Sequence, residues 1–209
     1  MGFTATYKVT ARTGHARFGR DCRGTSTVEF ALVTLVFFMA VLGVVDFARA
    51  FWQWNLAVRA TQVGVRAAIV RDTAALNFRR FDGTLAAPIG DPVPVAAITP
   101  NPTICTQDGC GASLTSLDPT LLDAAAFDRI VAPMRAYDRR IGADNVIVEY
   151  RHVGMGMAGN PVGPDIDPVI TVRLRDLRFE FLAIAFLQLP AITLPDFRTS
   201  LTAEDGRGL

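Results

Sequence analysis

From Phe30 to Val45 the chain runs FALVTLVFFMAVLGVV, sixteen residues without a formal charge. That is slightly short for an isolated membrane-spanning helix of about 20 residues and long for a soluble core helix. Residues 1–24, directly ahead of it, carry Lys8, Arg12, Arg17, Arg20 and Arg23 against the single acid Asp21. If the run enters a bilayer, this basic flank keeps the N-terminal side in the cytoplasm. A secretory signal peptide would also begin this way, with a small-residue cleavage site behind the run. Here Asp46-Phe47-Ala48-Arg49-Ala50-Phe51-Trp52 follows instead, a poor cleavage site that continues as helix. Two readings remain: a plain anchor, and a segment cut ahead of the apolar run.

The junction bears on that choice. In Arg23-Gly24-Thr25-Ser26-Thr27-Val28-Glu29-Phe30 a lone Glu stands five positions after a Gly. A carboxylate at the centre of a membrane helix costs about 2.5–3.5 kcal/mol, and less near the interface. Glu29 therefore reads either as a side chain held at headgroup level or as one with a partner. If the bond after Gly24 is cut, Thr25 gains a free α-amino group. A carboxylate one helical turn away can then pair with such an amine on a neighbouring subunit, offsetting the cost of both charges.

The stretch RGTSTVEFALVTLVFFMAVLGVVDFARAFWQWNLAVRATQVGVRAAIV resembles the N-terminal region of the TadE/TadG-like pilus-assembly proteins of the bacterial tight-adherence system, pseudopilins related to the Flp branch of type IVb pilins. Arg23-Gly24, Val28-Glu29-Phe30-Ala31-Leu32-Val33, Gly43, Asp46, Arg49-Ala50 and Gly64-Val65-Arg66 carry the resemblance. Leu35 departs from it, since many members of the family have Pro near this point. The resemblance implies a prepilin-peptidase cut between Gly24 and Thr25. It also implies that Glu29, with Phe30 beside it, is the pilin-type glutamate that pairs with the new N-terminus during assembly. The implied partners are the membrane, the prepilin peptidase, other pilin or pseudopilin subunits and the inner-membrane assembly platform. The implied location is the bacterial inner membrane, single-pass, with the C-terminal domain outside the cytoplasm.

The helical pattern continues past the apolar run. Turned by 100° per residue, Phe47, Phe51, Trp54, Val58, Val65 and Ile69 form one stripe. Ala50, Ala57, Ala60, Gly64 and Ala67 gather on a second, small-residue face that lets another backbone approach closely. Each face reads as packing on the chain's own domain or on a partner. Helix from Thr27 to Val70 would extend roughly 66 Å at 1.5 Å per residue, more than a bilayer, so its C-terminal half must leave the membrane. Trp52 and Trp54 suit an interfacial belt. The expected organisation is a basic leader over 1–24, a helix over 25–72 with its membrane segment at about 29–46, and an extracytoplasmic domain over 73–209.

Residues 82–118 are rich in Pro and Gly and predict a long loop, with a short strand near Val93–Ile98. Within it, Cys105-Thr-Gln-Asp-Gly-Cys110 sets two Cys around an Asp-Gly turn signal. Outside the cytoplasm this spacing reads as a small-loop disulfide. Two free thiols or half of a metal site are the alternatives. The third thiol, Cys22, lies in the leader and would be lost with it. Asp118-Pro119 predicts the start of a second helix that runs to Arg139–Ile141, kinked or broken at Pro133 and ended by Gly142. Strands are expected over Asn145–His152, Val169–Arg175 and Ile192–Leu201. Leu177–Leu189 is strand or helix, and Ala203–Leu209 a polar tail. The expected fold class is α+β: a long helix, a second helix, then an antiparallel sheet of about three or four strands, compatible with a pilin-like architecture.

The 21 basic and 20 acidic side chains leave a net charge of +1, which makes no electrostatic case for nucleic acid. No catalytic motif stands in its required context. Gly154-Met-Gly156-Met-Ala-Gly159 has dinucleotide-loop spacing, but Asn160-Pro161 and Gly163-Pro164 prevent the helix it needs. His152 reads as a partly exposed structural residue, and Asp165 and Asp167 as solvated acids rather than a cation site. The expectation is a non-enzymatic assembly protein with no cofactor or metal. The competing reading is an uncleaved, single-pass anchored periplasmic domain that binds a ligand or partner through residues 82–168.

Overall fold

The computed structural model describes residues 25–98, 101–161, 163–181 and 191–203. The leader with Gly24, His15 and Cys22, most of the 177–189 apolar run, and the tail 204–209 lie outside the described residues. Helix α1 runs Thr25–Val70. The chain divides into two compact units, the first ending at Val44 and the second beginning at Val45.

In the second unit, α1 buries Ala57, Ala60, Thr61, Gly64, Val65, Ala68 and Ile69. Both faces thus contribute to the core, the small-residue one through Ala57, Ala60 and Gly64 and the other through Val65 and Ile69. Phe47 and Phe51, the first residues of the large-residue stripe, are exposed. The two rings lie at the same helical angle as Val65 and Ile69, about five turns further on. The difference is therefore one of position along α1: the core packs on its C-terminal part, from Ala57 to Ile69, and does not reach back to Phe47 and Phe51. Beyond α1 lies the short α2, Leu76–Arg79, then α3, Ala124–Tyr137.

Among the described residues there are seven strands, two of them ahead of α3: β1 (Thr103–Thr106), β2 (Gly109–Gly111), β3 (Val146–Arg151), β4 (Val169–Leu174), β5 (Arg178–Phe179), β6 (Ile192–Thr193) and β7 (Phe197–Thr202). Five of them make an antiparallel sheet in the order β2-β1-β3-β4-β7, while β5 and β6 form a separate ribbon. In β4, Ile170, Val172 and Leu174 are buried and alternate with Thr171 and Arg173, as the period-two pattern requires. Opposite them stand Tyr150, Val148 and Val146 of β3 and Leu201, Thr199 and Phe197 of β7. This inner face joins α1 and α3 in one core with Phe127, Ile130, Val131 and Met134. Thr61 of α1 meets Thr199 of β7 through their hydroxyls at 3.0 Å.

Several boundaries differ from the sequence expectation, each with a local cause. The second helix starts at Ala124, not at Asp118. Asp118 exchanges backbone hydrogen bonds with Cys110 and caps only a 3₁₀ turn at Pro119–Leu121, while Asp123 caps α3 by accepting from the Ala126 N–H. The helix ends at Tyr137, before Gly142, because the Asp138 carboxylate accepts from the Arg140 N–H and offers the backbone an alternative to helix. Pro133 does not break it. Val93–Ile98 is not a strand but holds a 3₁₀ turn at Val95–Ala97, Pro92 and Pro94 having removed the donors a ladder needs. The expected last strand is two strands, β6 and β7, separated around Pro195, and Ala203 is buried rather than frayed.

The Pro/Gly-rich loop is tied down. Gly90 donates to Ala158 O and Ala158 to Asp91 O, and Val93 donates to Gly156 O. Asp165 accepts from the Gly83 N–H at 2.7 Å and the Asn160 N–H at 2.8 Å. Two irregular segments, about 83–98 and 153–168, thereby satisfy each other's backbone groups. Cys105 and Cys110 stand opposite each other in the β1–β2 hairpin and are joined by a disulfide.

Candidate membrane-spanning and assembly segment

An uncharged helix presents no unsatisfied backbone donors or acceptors along its length, which is what a hydrocarbon environment demands. The first part of α1 meets that condition. It is long and apolar enough to cross a membrane, and none of the residues in its apolar window is buried inside the protein. Phe30, Val36 and Val44 are each about 70% exposed, with Phe37 and Phe38 edge-to-face at 5.9 Å. In water so large a bare apolar surface would be strongly unfavourable, so an apolar partner is required. The helix continues unbroken through Leu35.

Thr25 opens α1, and Glu29 and Phe30 follow in its second turn, both exposed. Positions 25 and 29 are thus one helical turn apart, as the spacing predicted.

Where the apolar run ends, the chemistry changes abruptly. Asp46 is only 2% exposed and pairs with Arg49 at 3.0 Å, one turn further on. Arg49 also lies over the Phe179 ring, 5.6 Å from its centroid, and donates to the Glu180 carbonyl. Phe179 in turn packs edge-to-face on Phe181. Sequence reading placed Asp46 and Arg49 only as members of a resemblance. Their i, i+3 spacing on a helix is the signal that would have paired them. Deeper in the domain, Arg140 grips Asp138 through two nitrogens and reaches Gln53 of α1. Burial acts to raise the Asp138 pKa, but the hydrogen bonds from Arg140 outweigh it and hold the carboxyl below its ordinary value.

The remaining candidates have structural duties. His152 is buried rather than partly exposed, its Nε2 facing the Val93 carbonyl at 3.3 Å. Asp165 serves backbone donors, as above, and Asp167 N–H donates to Met155 O. The glycine-spaced turn adopts positive φ at Gly154, Gly156 and Gly159, and among the described residues no helix follows it before β4. At Gly156 a Cβ would come within 2.3 Å of the Asp165 carbonyl oxygen, so close loop packing accounts for that glycine. Among the described residues no group of three or more His, Cys, Asp and Glu side chains gathers in a metal-binding cluster.

The family model described as TadE-like protein matches residues 24–66, about a fifth of the chain. The match begins at Gly24 and covers the apolar run, Asp46, Arg49 and the first buried turns of α1. It falls on the stretch that carried the resemblance read from the sequence. No curated protein and no solved structure matches the chain.

Proposed function

We propose, from the premise that residues 24–66 form a TadE-like segment, that this chain is a minor pseudopilin of tight-adherence (Flp-type) pilus assembly. The observation that carries the proposal is that match, which opens on the glycine ahead of the expected cut. The basic leader stays in the cytoplasm while the domain from Val45 onward is exported. A prepilin peptidase cuts between Gly24 and Thr25. The apolar helix then serves as a single-pass inner-membrane anchor, and exchanges lipid for the similar helices of other subunits on assembly. Glu29, with Phe30 beside it, meets the Thr25 α-amine of a neighbouring subunit, so that two charges otherwise costly in an apolar setting neutralise each other. The exported location agrees with the Cys105–Cys110 disulfide, a bond that persists in oxidising compartments. The protein acts by assembly, with no catalysis and no cofactor.

Replacing Glu29→Ala in the full chain tests the pairing. Membrane insertion should be retained, because a charge is removed from the apolar helix. Incorporation with partner subunits should fall about tenfold or more, the effect expected when a buried charge loses its only partner. Unchanged pilus assembly would contradict the assigned role of Glu29.

A further inference from the structure

The second part of α1 carries a surface that the domain core does not use. Phe47, Phe51 and Trp52 are 74%, 62% and 67% exposed. The chain's other Trp behaves differently: Trp54 stacks edge-to-face on Phe197 at 4.8 Å and so belongs to the fold. Trp52 makes no ring contact among the described residues. Instead it lines a groove of about 430 Å³ with Ala48, Phe51, Asn55, Leu56, Arg59 and, from α3, Tyr137. Tyr137 is itself half exposed. Two separate elements thus contribute rings to one external patch.

The patch is ordered along the helix axis. Moving away from the apolar run one meets Phe47, then Phe51 and Trp52, then Asn55, then Arg59. From Val45 to Trp52 the helix rises about 10 Å, and Arg59 lies about 10 Å further. Rings directly beyond a pure hydrocarbon run match the aromatic belt between acyl chains and water, whereas Arg59, about 20 Å past Val45, lies beyond the headgroup layer of about 5–8 Å. The patch is also continuous in sequence with the run proposed to enter the membrane.

We propose that the face formed by Phe47, Phe51 and Trp52, with Tyr137 at its edge, lies in the headgroup region of the lipid bilayer. The inference depends on the membrane-spanning reading of Phe30–Val45 and adds a second, peripheral contact to it. In the unassembled protein this face stays in lipid, and leaving the membrane for a filament requires its release.

The test uses the full chain reconstituted in phosphatidylcholine–phosphatidylglycerol vesicles whose acyl chains carry bromine at a shallow or a deep position. The difference between the native chain and Trp52→Phe isolates the Trp52 emission without disturbing Trp54. About twofold stronger quenching by shallow than by deep bromine, with weak quenching by aqueous iodide, is expected for a ring at the interface. A bimane label at Tyr137→Cys should follow the same depth dependence. Iodide quenching without a bromolipid effect would place the patch in water and overturn the inference. Protection from both quenchers that grows with the protein-to-lipid ratio would assign the patch to a second copy and also overturn it. Flotation of the vesicles after an alkaline wash separates the two claims. A chain that fails to float refutes the spanning reading and this inference together. A chain that floats with Trp52 unquenched refutes this inference alone.

Discussion

The Arg71 guanidinium donates to the backbone carbonyl of Arg129 at 3.0 Å. Arg129 stands four residues before Pro133, so its carbonyl is the one that Pro133, lacking an N–H, leaves without an intrahelical donor. The residue just past the end of α1 thereby gives that carbonyl a donor, and α3 passes through Pro133 without breaking. Arg71→Ala should destabilise the domain by about 0.5–1.5 kcal/mol, the net worth of one hydrogen bond. In a Pro133→Ala background the same change should cost less, because the introduced alanine supplies the missing backbone donor. A chemical-denaturation double-mutant cycle measures the coupling, and strict additivity would contradict this account.

At Gly64, α1 lies tightly against α3. A Cβ at position 64 would come within 2.5 Å of the Met134 sulfur. Gly64→Leu should therefore cost about 1–3 kcal/mol through overpacking, despite the higher helix propensity of Leu. Thermal unfolding of the detergent-solubilised chain reads this directly. By contrast Gly43, in the apolar run, has nothing within 4 Å of an added Cβ, so Gly43→Leu should leave domain stability unchanged.

Asp165 gives the domain an acid-sensitive clasp. Burial acts to raise its pKa, but hydrogen bonds from the Gly159, Gly83 and Asn160 N–H groups outweigh it, and the carboxyl is held below its ordinary value. A depressed folded-state pKa contributes stability that is complete above the unfolded value of about 4 and is lost as pH falls through the lower folded value. Asp138 and Asp123 are shifted in the same direction, by Arg140 and by the Ala126 N–H respectively. Asp165→Asn should lower stability at neutral pH and flatten its decline below about pH 4. A parallel decline in both proteins would show that Asp165 does not contribute to it.

Where local pattern and tertiary packing agree, the fold was legible. The uninterrupted apolar and small-residue periodicity marked α1 to within two residues, and alternation assigned the buried face of β4. The β1–β2 hairpin escaped notice because its strands hold only Thr103–Thr106 and Gly109–Gly111, inside a Pro/Gly-rich stretch. Its place in the sheet comes from pairing with β3, far along the chain. Asp118-Pro119 carried a strong helix-start signal, yet the bonds between Asp118 and Cys110 overruled it. In the candidate segment, Glu29 and the apolar run were visible in one dimension. The aromatic patch was only half visible, since Tyr137 reaches it from another helix.

The proposed assembly role turns on the bond between Gly24 and Thr25. Intact mass and N-terminal sequencing of the membrane-extracted protein, from cells with and without a prepilin peptidase, test it most directly. A chain beginning Thr25-Ser26-Thr27 is expected only where the peptidase is present. A Met1 start in both cells would contradict it and leave an uncleaved anchored domain, whereas a cut behind Val45 would mean a secreted protein.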